Sequence, residues 1–175
     1  MKEDIFDVVD LSDNVVGQLP RSVVHAKGLF HRATHVLIFA ETSQGRKILL
    51  QKRSDLKDTY PNCYTTSCSG HVDSGEDYDT AVVREMLEET GLQVKLSELR
   101  KIGKVSPCAE TGQEFTFVYE LFVSENVKLY FNPDEVLAFD WILETDFQRM
   151  ILLSPEKFTP SFIKVYNFYL SETKK

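Results

Sequence analysis

The sequence predicts an α/β fold with a mixed central sheet, and three observations carry that prediction. Short β-prone runs recur between turn residues through the N-terminal part of the chain. A strongly acidic segment, about Asp77 to Thr90, has capping residues before it and a glycine after it. Two further helical segments, Phe147–Leu153 and Ser161–Leu170, follow a last apolar run.

Each element has its own signal. Ile5–Val9 and Asn14–Val16 read as a hairpin over about residues 5–17, turned at Leu11–Ser12–Asp13. Ala33–Ala40 and Lys47–Lys52 are apolar runs parted by Ser43–Gln44–Gly45, which predicts a second hairpin. Pro61 and Asn62 mark a loop before Tyr64–Cys68, a short β-prone stretch. Asp73, Ser74 and Gly75 are turn and capping residues ahead of the acidic helix, and Gly91 stops it. Leu99–Val105, Glu114–Ser124 and Val136–Leu143 read as strands, and Pro160 opens the last helix.

Composition narrows the function. The chain has 175 residues, 42% hydrophobic and 27% charged, which is ordinary for one water-soluble domain spanning 1–175. The formal net charge of −7 weighs against nucleic acid or an anionic membrane as partner. No apolar run approaches the ~18 residues of a membrane helix. Met1-Lys2-Glu3-Asp4 lacks the apolar core of a signal peptide. Cys63, Cys68 and Cys108 have no disulfide or zinc spacing and read as reduced thiols. A cytoplasmic protein acting on small molecules is expected.

The acidic helix carries the chemistry. At about 100° per residue, Glu85, Glu88 and Glu89 share one arc, while Val83, Met86 and Leu87 form the expected buried stripe. Like charges this close repel, so in a cleft they call for a cation, and hard oxygen ligands suit Mg²⁺ or Mn²⁺. Around them stands Gly70, then Glu76, then Arg84-Glu85-Met86-Leu87-Glu88-Glu89-Thr90-Gly91-Leu92. Seven fixed residues and two apolar sites at this spacing arise by chance on the order of 10⁻⁹ per start point. The stretch Gly70–Leu92 resembles the Nudix box. The resemblance implies an α/β/α sandwich in which Glu85, Glu88, Glu89 and the Gly70 carbonyl bind divalent metal. It implies that Glu76 and Arg84 pair to brace the loop. It also implies hydrolysis of a small-molecule diphosphate by water, with Glu88 and Glu89 in catalytic roles.

A wider resemblance runs from about Phe6 to Phe162, to the branch holding type I isopentenyl-diphosphate isomerases and related hydrolases. It rests on Asp10, Val16-Gly17, Arg21, His25, Leu29-Phe30-His31-Arg32-Ala33, Leu49–Ser54, Lys57–Pro61 and Gly70-His71. By that resemblance His25, His31 and His71 mark a second metal site. Glu114 is an extra ligand or the general base, and Arg53 and Lys57 hold the substrate diphosphate. A homodimer is suggested in the same way.

Four departures favour hydrolysis over isomerisation. Ser69 stands where the isomerases carry a reactive cysteine, and the adjacent Cys68 reads as a packing thiol on the other strand face. Glu85 and Glu88 are kept. No tyrosine lies in Lys101–Gln113, and Ser161 replaces a tryptophan, Trp141 lying elsewhere. The expected function is hydrolysis of a nucleoside diphosphate derivative or a prenyl diphosphate. Isopentenyl-diphosphate isomerisation and a non-catalytic Nudix binding domain are the alternatives.

Overall fold

The structure, a computed structural model, describes residues 3–57 and 59–174. Asp58, within the stretch that carries the wider resemblance, lies outside the described residues, as do Met1, Lys2 and Lys175. The strands are β1 (Ile5–Val9), β2 (Val15–Pro20), β3 (His31–Thr42), β4 (Gly45–Arg53), β5 (Tyr64–Thr65), β6 (Cys68–His71), β7 (Arg100–Val105), β8 (Glu114–Phe122) and β9 (Val136–Leu143). The helices are α1 (Arg21–Lys27), α2 (Tyr78–Thr90), α3 (Glu144–Leu153) and α4 (Pro160–Thr173).

The long strand β3 organises the mixed sheet. It runs parallel to β8 on one side. On the other side it pairs antiparallel with β6 at Ala33–Val36 and with β4 from Phe39 to Thr42. Ser67 fills the gap where β4 and β6 part. Its buried hydroxyl accepts from the Ile38 N–H at 2.8 Å and donates to the Leu49 carbonyl at 2.6 Å. Two backbone groups that would otherwise be orphaned in the core are satisfied. The expected single stretch Tyr64–Cys68 is therefore two strands, and the second continues to His71.

Alternation along β3 and β8 sends side chains to two layers. Val36, Ile38, Tyr119 and Leu121 pack under α2 with Val82 and Met86. Leu37 and Phe39 pack on the other face with Phe147 of α3 and Phe162, Tyr166 and Tyr169 of α4. The fold is thus α/β/α around a mixed sheet. Fully burying each such aromatic or aliphatic side chain stabilises the fold by roughly 1.5–3 kcal/mol. α2 differs from its expected stripe. Ala81, Val82, Met86 and Thr90 are its buried residues, Val83 is half-buried, and Leu87 is 53% exposed. Packing of Val82 and Met86 on the sheet turns the helix so that its carboxylates, not Leu87, meet strand β6.

α1 is the element that sequence periodicity misses, because seven residues containing adjacent valines show no helical stripe. It ends at Gly28, whose φ of 59° suits a residue without Cβ. The β1–β2 hairpin and α1 are fastened to the sheet by two buried aspartates. Asp7 accepts from the Ser74 hydroxyl at 2.8 Å and the Gly75 N–H at 3.2 Å. Asp13 accepts from Arg32 at 2.6 Å, Tyr78 at 2.9 Å and Lys104 at 2.5 Å.

Candidate functional site

Asp77 caps α2 by accepting the Thr80 N–H at 2.7 Å, and Gly91 ends it in the left-handed region. Between them, the packing of Val82 and Met86 leaves Glu85 and Glu89 aimed at strand β6. Gly70 leaves the room they need: a Cβ there would sit 1.9 Å from the Glu85 carboxyl carbon. Glu89 accepts the Ser69 N–H at 2.9 Å. Glu88 lies outermost and is 57% exposed. These three carboxylates, with Asn132 and Glu135 from the loop before β9, line a cleft of about 220 Å³.

Arg84 ties the arrangement together. Its fork takes Glu76 bidentately at 3.0 and 2.8 Å, as an Arg–carboxylate pair prefers. It also reaches Glu85 at 2.7 Å, Glu88 at 3.1 Å and the His71 carbonyl at 3.0 Å. Burial, then the neighbouring Glu89 charge, pushes Glu85 up to about 7 despite Arg84. Burial also raises Glu89, against the pull of the Ser69 N–H. Carboxylates that resist ionisation in a cleft, chiefly by burial and at Glu85 also through the Glu89 charge, are an arrangement a divalent cation relieves. Glu85, Glu88 and Glu89 therefore form a donor set that suits a divalent cation.

His71 follows Gly70 on β6, so its side chain leaves by the opposite sheet face. There it meets His25 of α1, His31 of β3 and Glu114 of β8. The imidazole nitrogens of the three histidines lie within 4.8 Å of one another. Glu114 is 3.1 Å from His71 Nε2 and 3.5 Å from His31 Nε2. Burial would raise the Glu114 carboxyl, but the two imidazoles outweigh it and hold it below the usual range. Phe6 closes the cluster, stacked on His71 at 4.6 Å and on His31 at 5.7 Å, edge-on to His25. His31 Nε2 and Thr116 Oγ1 are buried without a hydrogen-bond partner, and both belong to this end of the sheet. A buried imidazole nitrogen without a hydrogen-bond partner, facing two other histidines and the Glu114 carboxylate, is also a metal-competent arrangement.

The structure thus brings Gly70, Glu76, Arg84, Glu85, Glu88 and Glu89 together, and His25, His31, His71 and Glu114 together, on opposite faces. It does not bring Glu114 to the α2 carboxylates. Arg53 is spent on its own loop, donating from Nε and Nη2 to the Thr59 carbonyl at 3.1 and 2.8 Å. Lys57 reaches the cleft wall and ion-pairs with Glu135. Phe6, Asn132 and Glu135 were not apparent from the sequence. The turn signal Asn132-Pro133-Asp134 marks a loop but not the cleft it borders. A larger hollow of about 380 Å³ lies at the far end of the sheet, where Arg46–Glu144 and Arg100–Glu120 pair among themselves.

A Nudix-domain family profile matches residues 29–162. The chain belongs to the Nudix family. It is 32% identical over 143 residues to a Nudix hydrolase of Clostridium acetobutylicum, covering 79% of this chain and 69% of that one. It is 32% identical over 156 residues to a prenyl-diphosphate phosphatase of Methanosarcina mazei, covering 87% of each. It is 27% identical over 172 residues to an isopentenyl-diphosphate Delta-isomerase of Aliivibrio fischeri, covering 94% of this chain and 93% of that one. A crystal structure from Deinococcus radiodurans superposes with a TM-score of 0.72 at 28% identity, over 86% of this chain and 90% of that chain. Among the described residues, no helix is long and apolar enough to cross a membrane.

Proposed function

We propose that this chain hydrolyses a diphosphate linkage in a small molecule, using Mg²⁺ or Mn²⁺, by water attack at phosphorus. The carrying observation is the crowded cleft lined by Glu85, Glu88 and Glu89, in which Glu85 fills the space a Cβ at Gly70 would take. The metal, when bound, offsets phosphate charge and lowers the pKa of a coordinated water. Arg84 and Glu76 hold the loop so that the carboxylates keep their geometry, and the Ser69 N–H fixes Glu89. Catalysis is then positioning and charge neutralisation, with no covalent enzyme intermediate. Prenyl diphosphates are the first substrate class, supported by the Methanosarcina relative's name. The exposed Tyr130 and Phe131, which directly precede the cleft-lining Asn132 in the chain, also support it. Nucleoside diphosphate derivatives come second. The enzyme is taken as cytoplasmic, with a homodimer suggested by resemblance alone. A substrate panel with Mn²⁺ should release phosphate or diphosphate from at least one of the two classes, and no release from either sinks the reading.

The assembled cluster of His25, His31, His71 and Glu114 favours a second reading, isopentenyl-diphosphate isomerisation with metal held at that cluster. Moving a double bond needs a proton donor at the alkene. Cys68, the nearest thiol to the isomerase position, is fully buried under α2, and burial pushes it well above its usual range. Ser69 is a weak acid. We therefore assign Glu114 to the histidine site and not to water activation. Deuterium appearing in recovered substrate or product from D₂O would establish the isomerase reading in place of hydrolysis.

A further inference from the structure

Two loops meet across the mouth of the acidic cleft. One follows β4 and carries Lys57, and the other precedes β9 and carries Glu135. They are joined at the backbone, where the Ser54 N–H donates to the Glu135 carbonyl at 3.1 Å. The Glu135 turn is held by its own N–H and that of Val136, which donate to the Asn132 carbonyl at 3.0 and 2.9 Å. Arg53 closes the other side of the Lys57 loop through the Thr59 carbonyl. Both loop bases are thus fixed, and the long side chains of Lys57 and Glu135 remain to span the opening, where they form an ion pair.

We propose that Glu135 is a positioning residue that keeps Lys57 parked at the cleft mouth and yields it to the substrate diphosphate. This rests on the hydrolase reading above. The physical reasoning starts from charge. The Lys57 charge already acts on Glu89, and a lysine released from Glu135 would be drawn further toward the α2 carboxylates and would compete with the metal for them. Glu135 offers a nearer partner outside the metal carboxylates. The Lys57 and Glu135 side chains are 29% and 46% exposed, so the pair is solvated and weak. A diphosphate carries more negative charge than one carboxylate and displaces Glu135 readily. Glu135 therefore sets a small threshold on anion binding without entering the chemistry.

The test uses Glu135→Gln, Lys57→Met and the double variant in the full chain. Two readouts are compared: binding of imidodiphosphate with Mn²⁺ by calorimetry, and KM against kcat on the best diphosphate substrate. Because exposed ion pairs are weak, Glu135→Gln should tighten imidodiphosphate binding and lower KM by about twofold to fivefold with kcat unchanged. That gain should vanish in the Lys57→Met background. The same gain without Lys57 would mean general relief of negative charge and would overturn the proposal. Weaker Mn²⁺ binding in the absence of diphosphate, or a fallen kcat, would make Glu135 a metal ligand or base and would overturn it too, as would no change. Absent turnover in every form alongside a tightened imidodiphosphate response would count against the hydrolase reading and not against this pairing.

Discussion

The two faces of strand β6 carry carboxylates in opposite electrostatic conditions. On the α2 face, Glu85 and Glu89 crowd each other and are raised. On the opposite face, Glu114 sits between two imidazoles and is lowered. Both sets are largely removed from water, so burial alone does not distinguish them. The difference lies in whether the neighbours outweigh burial: around Glu85 and Glu89 burial wins, with the Glu89 charge adding to it at Glu85, whereas around Glu114 the two imidazoles win. It teaches that burial alone does not fix the direction of a carboxylate's shift in this fold; the groups around it decide whether burial prevails.

The largest expected break in this comparison comes from Glu89→Gln. It should cut Mn²⁺-supported phosphate release on the order of 10²- to 10³-fold, by analogy with loss of one group that stabilises the transition state. Unchanged turnover would remove Glu89 from the metal set. Gly70→Ala comes next. Its methyl group collides with Glu85, so Mn²⁺ affinity at α2 should fall about 10- to 100-fold, as when ligand geometry is disturbed. Binding of a second Mn²⁺ at the histidines should survive. Paramagnetic titration of the two sites would show equal losses at both if the faces were not separate.

A pH titration sharpens the contrast. Glu85 is raised in the fold, so in the metal-free protein its contribution to stability is full below about 4.5, its unperturbed value, and is lost as pH rises through about 7. Glu114 is lowered, so its contribution is present above its unperturbed value and is lost as pH falls. Metal-free Glu85→Gln should therefore melt higher than the parent near pH 8 and match it near pH 4, whereas Glu114→Gln should melt lower than the parent at pH 8. Melting curves in chelator test both signs. The smallest effect is expected for Glu114→Gln on hydrolysis, a loss under about tenfold, the lower range for groups outside the reacting shell. A loss as large as that of Glu89→Gln would return Glu114 to the hydrolytic step.

Much of the α2 site is legible from spacing alone, because a helix turns adjacent-in-sequence carboxylates into neighbours by a fixed angle. The box residues, the Gly91 stop and most strands follow from local pattern, whereas the N-cap is Asp77 and not the expected Asp73, Ser74 or Gly75. What local pattern hides is which face each element presents to the next. Leu87 looks like core because its helical position is apolar, yet the tertiary rotation of α2 exposes it. Glu114 looks like a partner of the box until β6 is carried through to His71. Alternation then places Gly70 and His71 on opposite sides and Glu114 with the histidines. Phe6 lies 65 residues before His71 and reaches it because Asp7, Asp13 and the backbone bonds from the Ser74 N–H to the Ile5 carbonyl and from the Val9 N–H to the Phe30 carbonyl hold the hairpin down.

The hydrogen bond from Arg84 to the His71 carbonyl has a consequence for how the two chemistries stay distinct. The pairing of β6 with β3 matches Gly70 with Thr34 and His71 with Ala33. A slip of one residue would swing the imidazole into the carboxylates and the glycine onto the histidines. Arg84 grips the backbone at the one step where such a slip would begin. A single-residue insertion there would interconvert the faces more completely than any side-chain replacement, which makes strand register a coordinate along which this scaffold can change its reaction.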